Sequence, residues 1–118
     1  MKKYLFALLI LPMILLGCSR PKDDFSPNKL YFFYSDTCPH CHDALEYIDA
    51  KYPELKLTMV NVANKGGLEL LAEAAQKFKL GNRVGTPLFV WNNRHIMGWS
   101  PQNEKLFDEL AHAYLAKE

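Results

Sequence analysis

Apolar and polar residues follow one another along the chain in a pattern that predicts four strands and three helices. The aromatic run at 30–34 and the segments 55–62, 87–91 and 94–98 have the composition or the alternation of strands. Between and after them, apolar residues recur every three to four positions, as in amphipathic helices. The inward positions of these helices are expected to be Cys41, Ala44, Leu45, Ile48 and Tyr52, then Leu68, Leu71, Ala72, Ala75 and Phe78, then Leu106, Phe107, Leu110 and Tyr114.

Turn and capping residues separate these segments. We expect a loop at 64–67, a hairpin turn at Asn92–Asn93, and a last helix that begins at Ser100 and Pro101. The element order is then β-α-β-α-β-β-α. Its first three elements form a right-handed parallel unit, and the hairpin adds two antiparallel strands. The pattern predicts an α/β domain with a four-stranded mixed sheet and helices on both faces.

The first 28 residues have a different pattern. A basic start is followed by the uncharged apolar run Tyr4–Leu16, which is shorter than the span of about 20 residues that crosses a membrane but suits a signal peptide. The run ends in Leu-Leu-Gly-Cys18, which resembles the lipobox of bacterial lipoproteins. In that class the chain is cut before the cysteine, which then carries acyl chains such as palmitate.

This resemblance implies a signal peptide at 1–17, followed by a lipidated Cys18 that inserts its acyl chains into a lipid bilayer. The polar, proline-containing stretch that follows would make 18–28 a tether, and the folded domain would occupy 29–118. We therefore expect the protein in the cell envelope, facing the periplasm or, in a bacterium with a single membrane, the outer surface.

Charge and cysteine content agree with export. The chain has 14 basic and 13 acidic residues, which gives no electrostatic reason to expect nucleic acid as a partner. Its three cysteines divide into one candidate for lipidation and one close pair. No thiol is left over, as is typical of an oxidising compartment.

The close pair, Cys38 and Cys41, lies where a strand ends and a helix begins. Residues three apart on a helix have Cβ atoms about 5–6 Å apart, which is near enough for a disulfide. A thiolate at Cys38 would face unpaired N–H groups and the positive end of the helix dipole, and Pro39 suits the first helical turn. Cys38 is therefore predicted to attack and Cys41, on the inward stripe, to resolve. Pro39 and His40 are predicted to set the reduction potential, which His40 would raise by stabilising the Cys38 thiolate.

Together these four residues, Cys-Pro-His-Cys, resemble the active site of the thioredoxin superfamily, and their Pro-His pair matches the periplasmic disulfide-oxidase branch. Thr86-Pro87 resembles the Thr–cis-Pro element of that superfamily, whose backbone pairs with a bound peptide. The resemblance covers roughly Lys29 to Tyr114. It implies a thioredoxin-like fold and a protein thiol-disulfide oxidoreductase.

In such an enzyme the Cys38–Cys41 disulfide is the redox centre and no other cofactor or metal is needed. Its substrates would be protein thiols or disulfides, and a membrane or periplasmic redox partner would recycle it. The chain departs from its relatives at Phe32, where thioredoxins have an acid, and at Ser35, where glutaredoxins have a lysine that holds glutathione. The direction of exchange stays open, with oxidation slightly favoured by the Pro-His pair.

Two other classes of function use the same residues. Cys38 to His42 is also a C-x-x-C-H string, which attaches haem in c-type electron carriers, with Met59 or Met97 as a second axial ligand. A metal-binding lipoprotein could use the two cysteines with His40 and His42, although zinc sites usually draw on two separated pairs. The strand before the string favours the dithiol interpretation over both.

Overall fold

The computed structural model of the protein describes residues 25–117, so the predicted signal peptide and Cys18 lie outside the described residues. The described chain forms its elements in the predicted order β-α-β-α-β-β-α. The strands are β1 (Tyr31–Tyr34), β2 (Thr58–Asn61), β3 (Leu88–Trp91) and β4 (Arg94–Met97), and the helices are α1 (Pro39–Lys51), α2 (Lys65–Lys77) and α3 (Pro101–Ala116). One turn of 3-10 helix at Gly81–Arg83 precedes β3.

The strands form one mixed sheet in the order β2-β1-β3-β4. β1 and β2 are parallel, with Phe33 opposite Val60, and α1 is the crossover between them. β3 is antiparallel to both β1 and β4, and its Leu88 lies opposite Phe33. The predicted fold class, an α/β domain with a four-stranded mixed sheet, is confirmed.

The helices bury a separate hydrophobic core on each face of the sheet, because successive strand residues point to opposite faces. On one face α1 and α3 cover Phe32 and Phe89, both fully buried, with ring centroids 5.0 Å apart. On the other face α2 covers Phe33. Cys38 and Cys41 belong to the first core, so the dithiol rests on apolar side chains.

Helix α2 differs from its prediction. The predicted loop at 64–67 is wrong because the helix begins inside it, and Leu68, predicted to face inward, is 56% exposed. Gly67 explains the difference, since a Cβ there would overlap the carbonyl oxygen of Asn61 and lie 2.8 Å from its carbon. This close approach turns Gly67 towards the sheet and Leu68 away from it. The buried residues of α2 are Leu71 and Ala74, and Ala72 is exposed.

Two smaller corrections concern α3 and β2. Leu106 is 48% exposed, because the buried stripe of α3 is the set Phe107, Leu110, Ala111 and Tyr114. The strand predicted at 55–62 is shorter, because Leu55 still belongs to the turn after α1, where its N–H donates to the carbonyl of Tyr52 at 3.0 Å.

The segment from Phe25 to Asn28, which the sequence analysis assigned to the tether, contacts the domain at the end of the sheet opposite the dithiol. Phe25 is 7% exposed, and its ring packs edge-on against Tyr31 at 5.0 Å between centroids. The Trp91 indole donates to the carbonyl of Pro27 at 2.7 Å. The hydroxyl of Tyr114 donates to the carbonyl of Asn28 at 2.8 Å. The chain therefore enters β1 along a fixed path.

Candidate redox site

Cys38 and Cys41 form a disulfide across the first turn of α1, with their Cα atoms 5.2 Å apart. Cys38 is the N-cap residue and has an extended backbone, φ −97° and ψ 101°. Its Sγ accepts a hydrogen bond from the N–H of Cys41 at 3.1 Å. The same N–H also donates to the carbonyl oxygen of Cys38 at 3.1 Å, so this donor of the first helical turn is shared between that carbonyl and the Cys38 sulfur.

The two sulfurs differ slightly in access. Cys41 is 2% exposed and Cys38 is 8% exposed, and both rest on the core that contains Phe32 and Ala44. Cys38 is thus the more accessible of the pair. Pro39 is the first residue of the helix and, like His40, is exposed.

A tight turn leads from β1 into this disulfide. The N–H of Cys38 donates to the carbonyl of Ser35 at 3.3 Å, and Nε2 of His42 lies 3.2 Å from the carbonyl oxygen of Asp36. His42, the residue that a haem would use, therefore contacts the turn. Across residues 25–117 no group of three or more Cys, His, Asp and Glu side chains is arranged to hold a metal ion. The two cysteine sulfurs are bonded to each other.

Thr86 and Pro87 lie at the same end of the sheet as Cys38, because β3 begins opposite the end of β1. The Thr86–Pro87 peptide bond is cis, and Pro87 is fully buried with its carbonyl accepting from Gly98 N at 2.7 Å. In the part of the chain that the structure describes, the backbone N–H and C=O of Thr86 have no hydrogen-bond partner. Both groups are therefore free to pair with another chain.

A cleft of about 580 Å³ lies beside the dithiol, between the N-terminal halves of α1 and α3. Its lining, apart from His40, was not predicted to be functional. It consists of Asp43, Glu46, Tyr47, Trp99, Ser100, Pro101 and Glu104. The sequence held one signal, the i, i+3, i+7 spacing of His40, Asp43 and Tyr47, which places them on one side of α1. No spacing in the sequence relates these three residues to Trp99.

One carboxylate, Asp108 on α3, fixes the wall of this cleft. It accepts hydrogen bonds from the hydroxyls of Tyr47 at 2.9 Å and Tyr52 at 2.6 Å, and from the Lys51 ammonium at 3.1 Å. We call these four residues the Asp108 network. Tyr47 in turn packs edge-on against Trp99, with 5.4 Å between ring centroids.

The Asp108 network shifts the pKa values of its members. Partial burial raises the pKa of Asp108, but the hydrogen bonds from Tyr52, Lys51 and Tyr47 outweigh it and leave that pKa below its ordinary value. Burial, with the hydrogen bond to Asp108, raises the pKa of Tyr52 to about 12. Hydrogen bonds to Tyr47 and Asp108 raise the pKa of Lys51. At neutral pH these shifts keep Asp108 and Lys51 charged and the Tyr52 hydroxyl protonated, which is the hydrogen-bonded form of the Asp108 network.

Comparison with solved structures gives the fold a name. The chain is similar to the glutaredoxin Grx-1 of Archaeoglobus fulgidus, with a TM-score of 0.51 and 15% sequence identity over 65% of this chain and 82% of that one. The fold is thioredoxin-like. No family model and no curated protein matches the sequence. The predicted superfamily resemblance is therefore supported at the level of the fold.

Proposed function

We propose that this protein is a thiol-disulfide oxidoreductase that exchanges disulfides with protein cysteines through Cys38 and Cys41. The observation that supports it best is a disulfide at the N-terminus of α1, in which a backbone N–H donates to the sulfur of Cys38. A hydrogen bond to an ionised acceptor is roughly twice as strong as one to a neutral acceptor. The same donor therefore stabilises the Cys38 thiolate after reduction and makes Cys38 the better leaving and attacking group.

In the oxidising direction, a client thiolate attacks Sγ of Cys38, the Cys38–Cys41 bond breaks, and Cys41 leaves as a thiolate that takes up a proton. A second client thiolate attacks the client sulfur of the mixed disulfide and releases Cys38 as a thiolate. The client loses two electrons, which the protein gains as its dithiol. A separate redox partner that carries a disulfide, in the membrane or the periplasm, must then reoxidise the protein. The same steps in reverse reduce a client disulfide.

The client chain would lie against Thr86 and Pro87. The unpaired backbone groups of Thr86 support this, because an extended peptide can add to them in the manner of a further strand. Pro87 is fully buried and keeps this backbone next to the start of β3. The core residue Phe32 offers no ionisable group beneath the disulfide, so the buried side of the site is apolar.

Mixed-disulfide trapping tests the exchange activity. A Cys41→Ser variant keeps the attacking thiol and has no resolving thiol, so it should accumulate a covalent adduct with a peptide disulfide. A Cys38→Ser variant is the matched control and should form far less adduct. Equal trapping by both variants, or none by either, would refute the assignment of roles.

The reduction potential of the Cys38–Cys41 couple tests the direction, for which we propose oxidation of client thiols. Potentials near about −120 mV are typical of strong dithiol oxidants and those near about −270 mV of reductants. We expect a value in the upper half of that interval. We also expect His40→Ala to lower it by roughly 10–30 mV, since about 30 mV corresponds to 1.4 kcal/mol of thiolate stabilisation. A potential at the reductant end would contradict the proposed direction but not the exchange chemistry.

We further propose that acylation of Cys18 holds the protein on the bilayer in the cell envelope. Among residues 25–117, no helix has the length and apolar character to cross a membrane. The support is the sequence alone: the apolar run that ends at Cys18 and the absence of a spare thiol. Partition of the expressed protein into the membrane fraction, and its loss in a Cys18→Ser variant, would test the anchor.

A further inference from the structure

The cleft lies beside the dithiol, since its lining includes His40, which stands between Cys38 and Cys41 in the chain. His40, inside the Cys-Pro-His-Cys motif, forms part of its wall, and Trp99 and Glu104 form the wall contributed by the α3 end of the domain. A client whose cysteine reacts at Cys38 would therefore bring its neighbouring side chains close to His40, at the wall of the cleft.

The cleft carries uncompensated negative charge. Three carboxylates line it, Asp43 and Glu46 from α1 and Glu104 from α3, and no lysine or arginine lines it. Within residues 25–117 none of the three carboxylates forms a hydrogen bond or an ion pair. The Lys51 ammonium, at the end of α1, forms an ion pair with Asp108 at 3.1 Å. A cation that enters the cleft would therefore meet three free carboxylates and would not have to displace another cation from them.

The cleft also presents aromatic surface that is held in place. The Tyr47 hydroxyl donates to both carboxylate oxygens of Asp108, at 2.9 and 3.0 Å. The Trp99 ring packs against Tyr47 at 5.4 Å and against Phe89 and Phe107 at 6.0 and 5.9 Å between centroids. Aromatic faces attract a guanidinium or an ammonium group, and fixed rings lose little entropy on binding it.

We infer that this cleft binds the side chain of an arginine or lysine next to the reacting cysteine of the client. This inference rests on the proposed function and names the client class: proteins with a basic residue beside the cysteine that exchanges. Carboxylates and fixed aromatic rings together suit a flat cation. A neutral side chain would gain nothing from the carboxylates, and an acidic side chain would be repelled by them.

The test compares two disulfide peptides that differ in one side chain, arginine against citrulline, which has the same shape and no charge. The full chain is reduced and mixed with each peptide, and the rate constant of exchange is measured. Each rate constant is divided by the rate constant of the same protein with a small uncharged disulfide. This division removes differences in the intrinsic reactivity of the protein. We expect the arginine peptide to react about tenfold faster at low ionic strength. At 1 M salt the screening length falls to about 3 Å, and the preference should largely disappear.

Neutralising the carboxylates supplies the matched variants. Glu46→Gln should reduce the arginine preference about twofold, and Asp43→Asn with Glu46→Gln should reduce it about fourfold, since each exposed pair contributes a factor of roughly two. Glu69→Gln, on the exposed surface of α2 outside the cleft, is the control and should leave the preference unchanged. Because the citrulline peptide is neutral, its rate should stay constant in all variants.

The outcomes separate this inference from the proposed function. If both peptides react at the same normalised rate, or if neutralising Asp43 and Glu46 does not reduce the preference, the cleft does not select basic clients although exchange is intact. If neither peptide nor the small disulfide reacts, the exchange function itself fails. Unfolding temperatures of the variants show whether a lost preference reflects lost charge or lost structure.

Discussion

Replacing Asp108 by asparagine should weaken the packing of α3 against α1. The Asp108 carboxylate accepts from Tyr47, Tyr52 and Lys51, all of which lie on or directly after α1. Asparagine keeps one carbonyl oxygen and the same shape but has no charge. Its NH₂ group can only donate, so it cannot satisfy the donors that the second carboxylate oxygen serves.

The largest contribution comes from Tyr52, whose hydroxyl donates at 2.6 Å from a side chain that is only 5% exposed. A hydrogen bond to a charged acceptor contributes about 1.5–3 kcal/mol to stability, against about 1 kcal/mol for a neutral one. Lys51 is exposed, so solvent screens its ion pair and we assign it no energy. We therefore expect Asp108→Asn to lower the free energy of unfolding by about 2 kcal/mol. For a domain of this size that is a fall of about 8–16 °C in the unfolding temperature.

The pH dependence has a definite sign. The pKa of Asp108 lies below its ordinary value in the folded chain, so its stabilisation is present above about pH 4 and is lost as the pH falls through the folded pKa. The pKa of Tyr52 is raised to about 12, so its contribution is present below about pH 10 and is lost as the pH rises from 10 towards 12. The difference between wild type and Asp108→Asn should therefore be largest between about pH 5 and 9.

Urea unfolding followed by circular dichroism at pH 3, 7 and 11 measures this difference. Asp49→Asn is the matched control, since Asp49 is an exposed residue of α1 without a hydrogen bond or ion pair in the described chain. Tyr52→Phe, alone and combined with Asp108→Asn, gives the coupling energy of the pair. The reasoning would be refuted by a loss no greater than that of Asp49→Asn, or by a loss that is the same at all three pH values.

Two further predictions concern the ends of helices. Gly67→Ala should destabilise the protein by about 1–3 kcal/mol, because the added Cβ would overlap the carbonyl of Asn61. Gly66→Ala should stabilise it by about 0.5–1 kcal/mol, because nothing lies within 4 Å of the added Cβ. The unfolding temperatures of the two variants should therefore shift in opposite directions, and equal shifts would contradict the packing described for Gly67. Ser100→Ala should cost about 1 kcal/mol, since Oγ of Ser100 accepts from the N–H of Asn103 at 3.1 Å as the cap of α3, and Ser100→Asp should restore most of the loss in the same assay.

The elements of the fold could be predicted where local pattern and tertiary packing agree. In α1 the stripe of Cys41, Ala44 and Ile48 is buried as its spacing predicts, because these residues pack together in one core against the sheet. In α2 the spacing of apolar residues favoured Leu68, but the approach of Gly67 to the sheet sets the rotation of the helix. A glycine that is needed for contact looks the same in sequence as one that breaks a helix, so this error could not be avoided from the pattern alone.

The candidate site divides in the same way. The cysteine pair and its cap are local: Cys41 is three positions after Cys38, and the chemistry of a helix N-terminus follows from that spacing. The cleft is not local, because Asp108 lies 61 residues from Tyr47 and 56 from Tyr52 along the chain. No periodicity within one segment relates them, and only the sheet order brings α1 and α3 to the same face.

This division has a consequence for how the two parts of the site can change. The proposed transfer of two electrons needs both cysteines at the start of α1, so that part is fixed by the reaction. The cleft is built from side chains on two helices whose relative position is fixed by Asp108, and its charged residues Asp43 and Glu46 have no partner within the described chain. Substituting them should therefore alter which clients react while leaving both the fold and the reduction potential of Cys38 and Cys41 nearly unchanged. Selectivity and chemistry in this protein should thus be separable by mutation.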